Sequence, residues 1–240
     1  GNDAIERLFD GIDRKTKRQI YKAFVMKNKG RGLLLCFDKK RIAKAALTSI
    51  GIRESSDPST SKFLPEIQQL LSDIEKPGCL DDVYSTLVQK AKDAIADKKS
   101  ESPYDILFKI LHSFEHSLSM NAALATGLEA ESFGGMVMME KCSVLIFEKK
   151  EVTAGGIDFL IQESNLHEWI FQSKHQLRNC KNGCDDSCPK CIYCNDALCH
   201  PVWPKELPNK PWISPNSLLS RAACNIIFAK WDLENLTTIV

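Results

Sequence analysis

Six cysteines fall within twenty residues of this 240-residue chain: Cys180, Cys184, Cys188, Cys191, Cys194 and Cys199, with His200 beside the last. Thiolates this close in sequence can converge on one tetrahedral ion, and Zn²⁺ prefers sulfur ligands in that geometry. The run reads Cys180-x3-Cys184-x3-Cys188-x2-Cys191, then x2 to Cys194 and x4 to Cys199. Close pairs on tight turns suit such a site. Gly183 and Pro189 favour turns here, and Asn182-Gly183 is a strong turn dipeptide. The segment is too poor in apolar residues to fold alone, so metal affinity would become its folding energy. Two ligand sets compete: Cys180, Cys184, Cys188 and Cys191, or Cys191, Cys194, Cys199 and His200. Disulfides are disfavoured in a reducing compartment. An iron–sulfur cluster also takes four thiolates, but nothing else in the chain suggests electron transfer. Cys36, Cys79, Cys142 and Cys224 stand apart and read as small buried hydrophobes.

A second constellation is His112-Ser113-Phe114-Glu115-His116, which matches the H-x-x-E-H metalloprotease pattern. Two histidines four apart on a helix can bind zinc from one face, while the glutamate polarises a water. At about 100° per residue both histidines fall opposite the apolar stripe of Leu107, Leu111, Phe114 and Leu118. They are expected to face solvent or to reach a partner element. No third ligand is identifiable, and short degenerate motifs often match by chance, so the zinc-dependent hydrolase is the alternative reading.

The elements that must position these groups follow from periodicity and punctuation. Residues 4–26 carry apolar positions at helical spacing, and residues 33–37 suit a buried strand. Asp38 is placed to cap a basic helix over residues 39–49, with Gly51 ending it. Residues 53–62 read as a loop. Helices over 65–74 and 80–97 flank Pro77-Gly78. The polar joint 98–102 marks the best boundary in the chain, dividing a helical, basic region 1–99 from a domain at 100–240. A long helix is expected over 103–126, stopped by Gly127, and two strands over 136–139 and 143–147. Gly134-Gly135 and Gly155-Gly156 read as turns. A helix over 157–177, broken near Asn165, delivers the chain to Cys180, and a last helix spans 217–231. Trp169, Trp203, Trp212 and Trp231 read as core or loop packing, with base stacking as the other use. The expected class is α+β, with helices packed on a small sheet and a four-cysteine zinc loop.

Composition is that of an ordinary globular protein, with 43% hydrophobic and 26% charged residues. No apolar run approaches the roughly 20 residues needed to span a bilayer, and no signal peptide opens the chain, which points to the cytoplasm. The start at Gly1 without Met reads as a cleavage scar or an internal fragment. The net charge of +1 hides an asymmetry: residues 1–50 hold 13 Lys+Arg against 5 Asp+Glu, so the rest of the chain is acidic. Arg14, Lys15, Lys17 and Arg18, with Lys39, Lys40 and Arg41, form either a solvated helical face or a phosphate-contacting patch. No Walker A sequence is present, so the chain is not itself a motor.

Several segments together resemble the helicase-associated C-terminal zinc-binding domain family. That family is found in superfamily-two repair helicases and in a component of the DISARM anti-phage defence system. The matching pieces are Leu111-His112-Ser113-Phe114-Glu115-His116-Ser117-Leu118, Gly155-Gly156-Ile157-Asp158-Phe159-Leu160, the run from Cys180 to Ile192 with Cys188-Pro189-Lys190-Cys191 at its heart, and Leu218-Leu219-Ser220-Arg221-Ala222-Ala223. They cover about residues 103–231. The resemblance implies one structural Zn²⁺ held by Cys180, Cys184, Cys188 and Cys191, with no hydrolytic role. Cys194, Cys199 and the proline-tryptophan loop depart from the family pattern, and residues 1–99 match nothing. The expected function is a non-catalytic accessory subunit or fragment of a DNA-processing complex. Its expected partners are DNA and a helicase or other protein, with no membrane and no small-molecule substrate. A pure protein–protein scaffold is the remaining alternative.

Overall fold

Alternation of period two sets the sheet. In the strand Gly32–Phe37, Leu33, Leu35 and Phe37 are buried while the residues between them are partly exposed, the pattern of a strand with one face on the core. The computed structural model describes residues 11–12, 19–20, 31–56, 62–96, 102–149, 155–180, 182–184, 187–188, 191–193, 218–229 and 237–239. In chain order the strands are β1 (Gly11–Ile12), β2 (Gln19–Ile20), β3 (Gly32–Phe37), β4 (Phe133–Met138), β5 (Ser143–Glu148) and β6 (Thr237–Ile239). The helices are α1 (Lys39–Ser56), α2 (Leu64–Asp73), α3 (Leu80–Ala96), α4 (Ile106–Thr126), α5 (Gly156–Leu160), α6 (Glu163–Arg178) and α7 (Arg221–Phe228). Strands β4, β5, β3 and β6 form an antiparallel sheet in that order. The class is α+β, as the sequence implies.

Helix α4 is the hub. Its one full face of apolar residues would suffice for an amphipathic helix, yet it is buried nearly all round: Leu107, Leu111, Phe114 and Leu118, but also His112, Ser113, Glu115 and Ser117. It packs on β4 and β5 and touches α1, α3, α5, α6 and α7. Phe114 stacks on Phe37 of β3 with ring centroids 5.0 Å apart. Trp169 of α6 is fully buried and donates its Nε1–H to the Leu118 carbonyl at 2.9 Å, so it is core packing. Gly127 ends α4 in the left-handed conformation at φ 69°, the stop expected of a glycine there.

Four expectations are corrected. The regions 1–99 and 100–240 share one sheet, because β3 pairs with β5 from Gly32↔Phe147 to Cys36↔Ser143. One hydrophobic cluster likewise draws on both sides of residue 100. The helix expected over 4–26 fails at its described residues, where Gly11–Ile12 pairs antiparallel with Gln19–Ile20. Gly51 does not end α1, which runs to Ser56. Helix α1 packs on α2 here, with Ile50 and Ile67 both buried, and such packing overrides the weak helix propensity of glycine. The Asp38 cap is present: its Oδ1 accepts from the Arg41 amide at 2.9 Å. Gly155 opens α5 at φ 75°, a turn, but Gly134 and Gly135 lie inside β4.

The reason for the glycine in β4 is spatial. A Cβ on Gly135 would sit 2.0 Å from Glu115 Oε1 of α4, so the strand omits a side chain where the helix inserts a carboxylate. Replacing Gly135 with Ala should lower the unfolding free energy by roughly 1–3 kcal/mol through overpacking, read as a lower urea midpoint. The same change in a Glu115→Ala background should cost measurably less. An equal cost in both backgrounds would contradict the close approach.

Candidate metal centre

Helix α6 ends at Arg178, and its C-cap Asn179 turns to an extended conformation that carries the chain away to Cys180. Two turns of the same kind follow. The Gly183 amide donates to the Cys180 carbonyl at 2.9 Å, and the Cys191 amide to the Cys188 carbonyl at 3.0 Å. Gly183 takes φ 64°, the left-handed conformation that glycine adopts without strain. Each turn aims an amide at a sulfur: Asn182 N–H at Cys180 Sγ and Cys188 N–H at Cys191 Sγ, both at 3.3 Å.

The four sulfurs of Cys180, Cys184, Cys188 and Cys191 lie within 4.8 Å of one another. Individual separations are 3.5 Å for Cys180–Cys188, 3.3 Å for Cys184–Cys191 and 3.7 Å for Cys188–Cys191. A metal–sulfur distance of about 2.3 Å in a tetrahedron puts the sulfurs about 3.8 Å apart. A disulfide would need about 2.05 Å, and all four cysteines are free thiols. The donor set therefore fits a single thiolate-bound metal ion, and among the described residues the first of the two ligand sets is assembled. In the second set Cys194, Cys199 and His200 lie outside the described residues.

The electrostatics of the set suit it to a cation. Burial pushes the Cys184 thiol up to about 12, opposed by the Arg221 guanidinium, and burial also raises Cys191. Backbone amides, that of Cys184 first, hold Cys180 down to about 6. Four thiolates at this spacing would repel one another, and a metal ion at their centre would replace the protons.

Two side chains that sequence reasoning missed fasten the cage to the fold. Arg221, the first residue of α7, is 3% exposed. Its Nε donates to the Leu177 carbonyl at 2.9 Å, and its Nη1 donates to the Cys184 carbonyl and lies 3.4 Å from Cys184 Sγ. Gln176 of α6 donates to the Cys191 carbonyl at 2.9 Å, while its own Oε1 accepts from Ser117 and Asn121 of α4. A lone arginine in the apolar run Leu218 to Phe228 was the available signal for the first. Nothing in the sequence marked Gln176.

The other sequence-predicted residues fare differently. Lys39, Lys40 and Arg41 pair with Asp81, Glu75 and Asp38 at 2.7, 3.0 and 3.7 Å, so these cations sit among acids rather than in an open patch. Arg14, Lys15, Lys17 and Arg18 lie outside the described residues. His112 is 0% and Glu115 2% exposed. His112 Nδ1 lies 2.9 Å from the Leu218 carbonyl, so it reaches a partner element, as the helical wheel allows. Their burial closes the way to a peptide carbonyl, which tells against the hydrolase. No described helix is long and apolar enough to cross a membrane.

No protein-family model, no curated protein and no solved structure matches this chain. Arg221→Met, of similar length and uncharged, should weaken metal retention about 10–100-fold in competition with a chelator. Metal binding should release protons, so affinity falls as pH falls. Unchanged retention in the variant would show that the guanidinium does not support the cage.

Proposed function

We propose that the chain is a non-catalytic accessory module of a DNA-processing complex (helicase, repair or anti-phage defence), stapled by one Zn²⁺ in the four-cysteine cage and working in the cytoplasm. The observation that carries the reading is the convergence of four sulfurs at tetrahedral spacing, in a chain whose flanking segments resemble the helicase-associated zinc-binding family. Zinc is favoured over an iron–sulfur cluster because single-ion tetrahedral spacing accounts for the sulfurs with no inorganic sulfide between them.

The nucleic-acid part is supported by the outer face of α6. His167, Phe171, the adjacent Lys174 and His175, and Arg178 fall on successive turns of the helix, all exposed or partly exposed. They form one stripe along the helix, which runs directly into Cys180. Phe171 is 55% exposed and its ring stacks on His175 at 6.3 Å. Phe171, Lys174, His175, Arg178 and Asn179 line an open pocket of about 310 Å³. An exposed aromatic ring beside cations is what base stacking and phosphate contact require. This face is better placed for the task than the ion-paired Lys39, Lys40 and Arg41. The Zn²⁺ would fix the direction in which the chain leaves that face. A helicase or other motor would be the protein partner.

Fluorescence anisotropy with a labelled single-stranded oligonucleotide tests the reading. Binding should weaken steeply with salt. Phe171→Ala should weaken it by roughly 1–3 kcal/mol, the usual worth of a stacked base. A Lys174→Glu/Arg178→Glu chain should flatten the salt dependence, with its circular dichroism and metal content unchanged. Absence of binding at low ionic strength would leave the scaffold reading in its place. Elemental analysis should find zinc rather than iron.

A further inference from the structure

The cage does not account for a second group of donors on α4. His112, Glu115 and His116 present one ligand atom each, all within 4.8 Å of one another. Helical spacing brings the two imidazoles together, with His116 Nε2 3.0 Å from His112 Nε2. The Leu218 carbonyl at 2.9 Å can only accept, so His112 Nδ1 carries the proton and Nε2 keeps its lone pair turned toward His116 and Glu115. A backbone acceptor on the far nitrogen is the usual way in which a metal-binding histidine is oriented. Phe108 stacks on the same ring at 5.0 Å and fixes its plane.

The carboxylate is what makes this group more than a pair of packed histidines. The Glu115 side chain is 3% exposed, and its Oε2 lies 3.5 Å from His116 Nε2. Oε1 accepts from the Ser119 hydroxyl at 3.3 Å. The sheet makes room for it by placing glycine at position 135. A carboxylate taken out of water is costly unless a positive charge sits beside it. A proton shared by the imidazoles supplies one charge. A divalent ion supplies two and takes all three lone pairs. Two nitrogens at about 2.0–2.1 Å from a tetrahedral ion lie about 3.4 Å apart, so the rings need to open by only a few tenths of an ångström.

We propose that His112 Nε2, His116 Nε2 and Glu115 Oε2 form a second metal site, independent of the thiolate cage and suited to a borderline divalent ion such as Zn²⁺. The site is structural rather than hydrolytic, because His112 and Glu115 are sealed from solvent. It locks α4 to the Leu218–Ser220 segment and to β4. The ion enters past His116, whose side chain is 12% exposed. The reading stands whether or not the chain binds nucleic acid.

Metal counting on the full chain tests it. Zinc-equilibrated wild type should hold about two equivalents after dialysis, and His116→Ala about one. In both proteins Co²⁺ should still produce the intense thiolate-to-metal charge-transfer absorption of the cage. His116 lies at the rim, so this variant is the one least apt to unfold. Should it unfold, imidazole ¹⁵N NMR of the wild type decides the matter. Zn²⁺ added to chain carrying one equivalent should shift the His112 and His116 Nε2 resonances to metal-bound values. One equivalent in wild type overturns the proposal. So do two equivalents retained by His116→Ala, which would place the second ion elsewhere, or a His116 Nε2 that stays protonated throughout the titration.

Discussion

Four sulfur atoms held within 4.8 Å of one another are an electrostatic demand as much as a geometry. Protonated, they are four poor hydrogen-bonding groups in a segment with almost no apolar side chains. Ionised, they repel. A metal cation at their centre would resolve both difficulties by turning ligand affinity into order of the loop. Even then thiolates outnumber the charge of the ion. The guanidinium of Arg221, buried against the Cys184 carbonyl and sulfur, offsets part of the excess, and the Asn182 and Cys188 amides offset more.

That demand reaches the rest of the molecule through polar groups buried on purpose. Arg221 is available because Ser220 caps α7, accepting from the Ala223 amide at 3.3 Å. The segment before α7 is pinned to α4 by His112 on the Leu218 carbonyl and by Ser113 Oγ, which accepts from the Ser220 amide at 2.8 Å. Gln176 links the Cys191 carbonyl to Ser117 and Asn121 of the same helix. A core helix carrying so many polar side chains is costly unless each finds a partner. Here those partners are the backbones of α6, of the cage and of the approach to α7. Helix α4 thus meets the sheet with apolar side chains and the one carboxylate of Glu115, and meets the metal-binding segment with polar ones.

Much of this was legible in sequence. Cysteine spacing marked the cluster, since metal coordination acts over a few residues and leaves a local trace, but it left two ligand sets open, and the family resemblance pointed to one of them. The strands were readable from short apolar and β-branched runs, and Gly127 and Asp38 from the chemistry of helix ends. What was not legible was long-range. No local signal says that Gly32–Phe37 will lie between a strand at 143–148 and one at 237–239, so the joint at residues 98–102 looked like a boundary between domains. Gly134-Gly135 looked like a turn because the carboxylate that needs the space belongs to a helix some twenty residues earlier. The basic run Lys39-Lys40-Arg41 looked open because its acids, Asp81 and Glu75, come from other elements. The α6 stripe was overlooked for the opposite reason: it is local, but it reads as an ordinary solvated face until the cage is seen at its end.

X-ray absorption at the metal edge of the purified chain tests the central claim most directly. The account predicts zinc with a shell of four sulfur neighbours at about 2.3 Å when one equivalent is bound, and an average of about two sulfurs with nearly as many nitrogen/oxygen neighbours at about 2.0–2.1 Å when a second is bound. A chain that carries no metal, or a metal whose shell contains no sulfur, would contradict it.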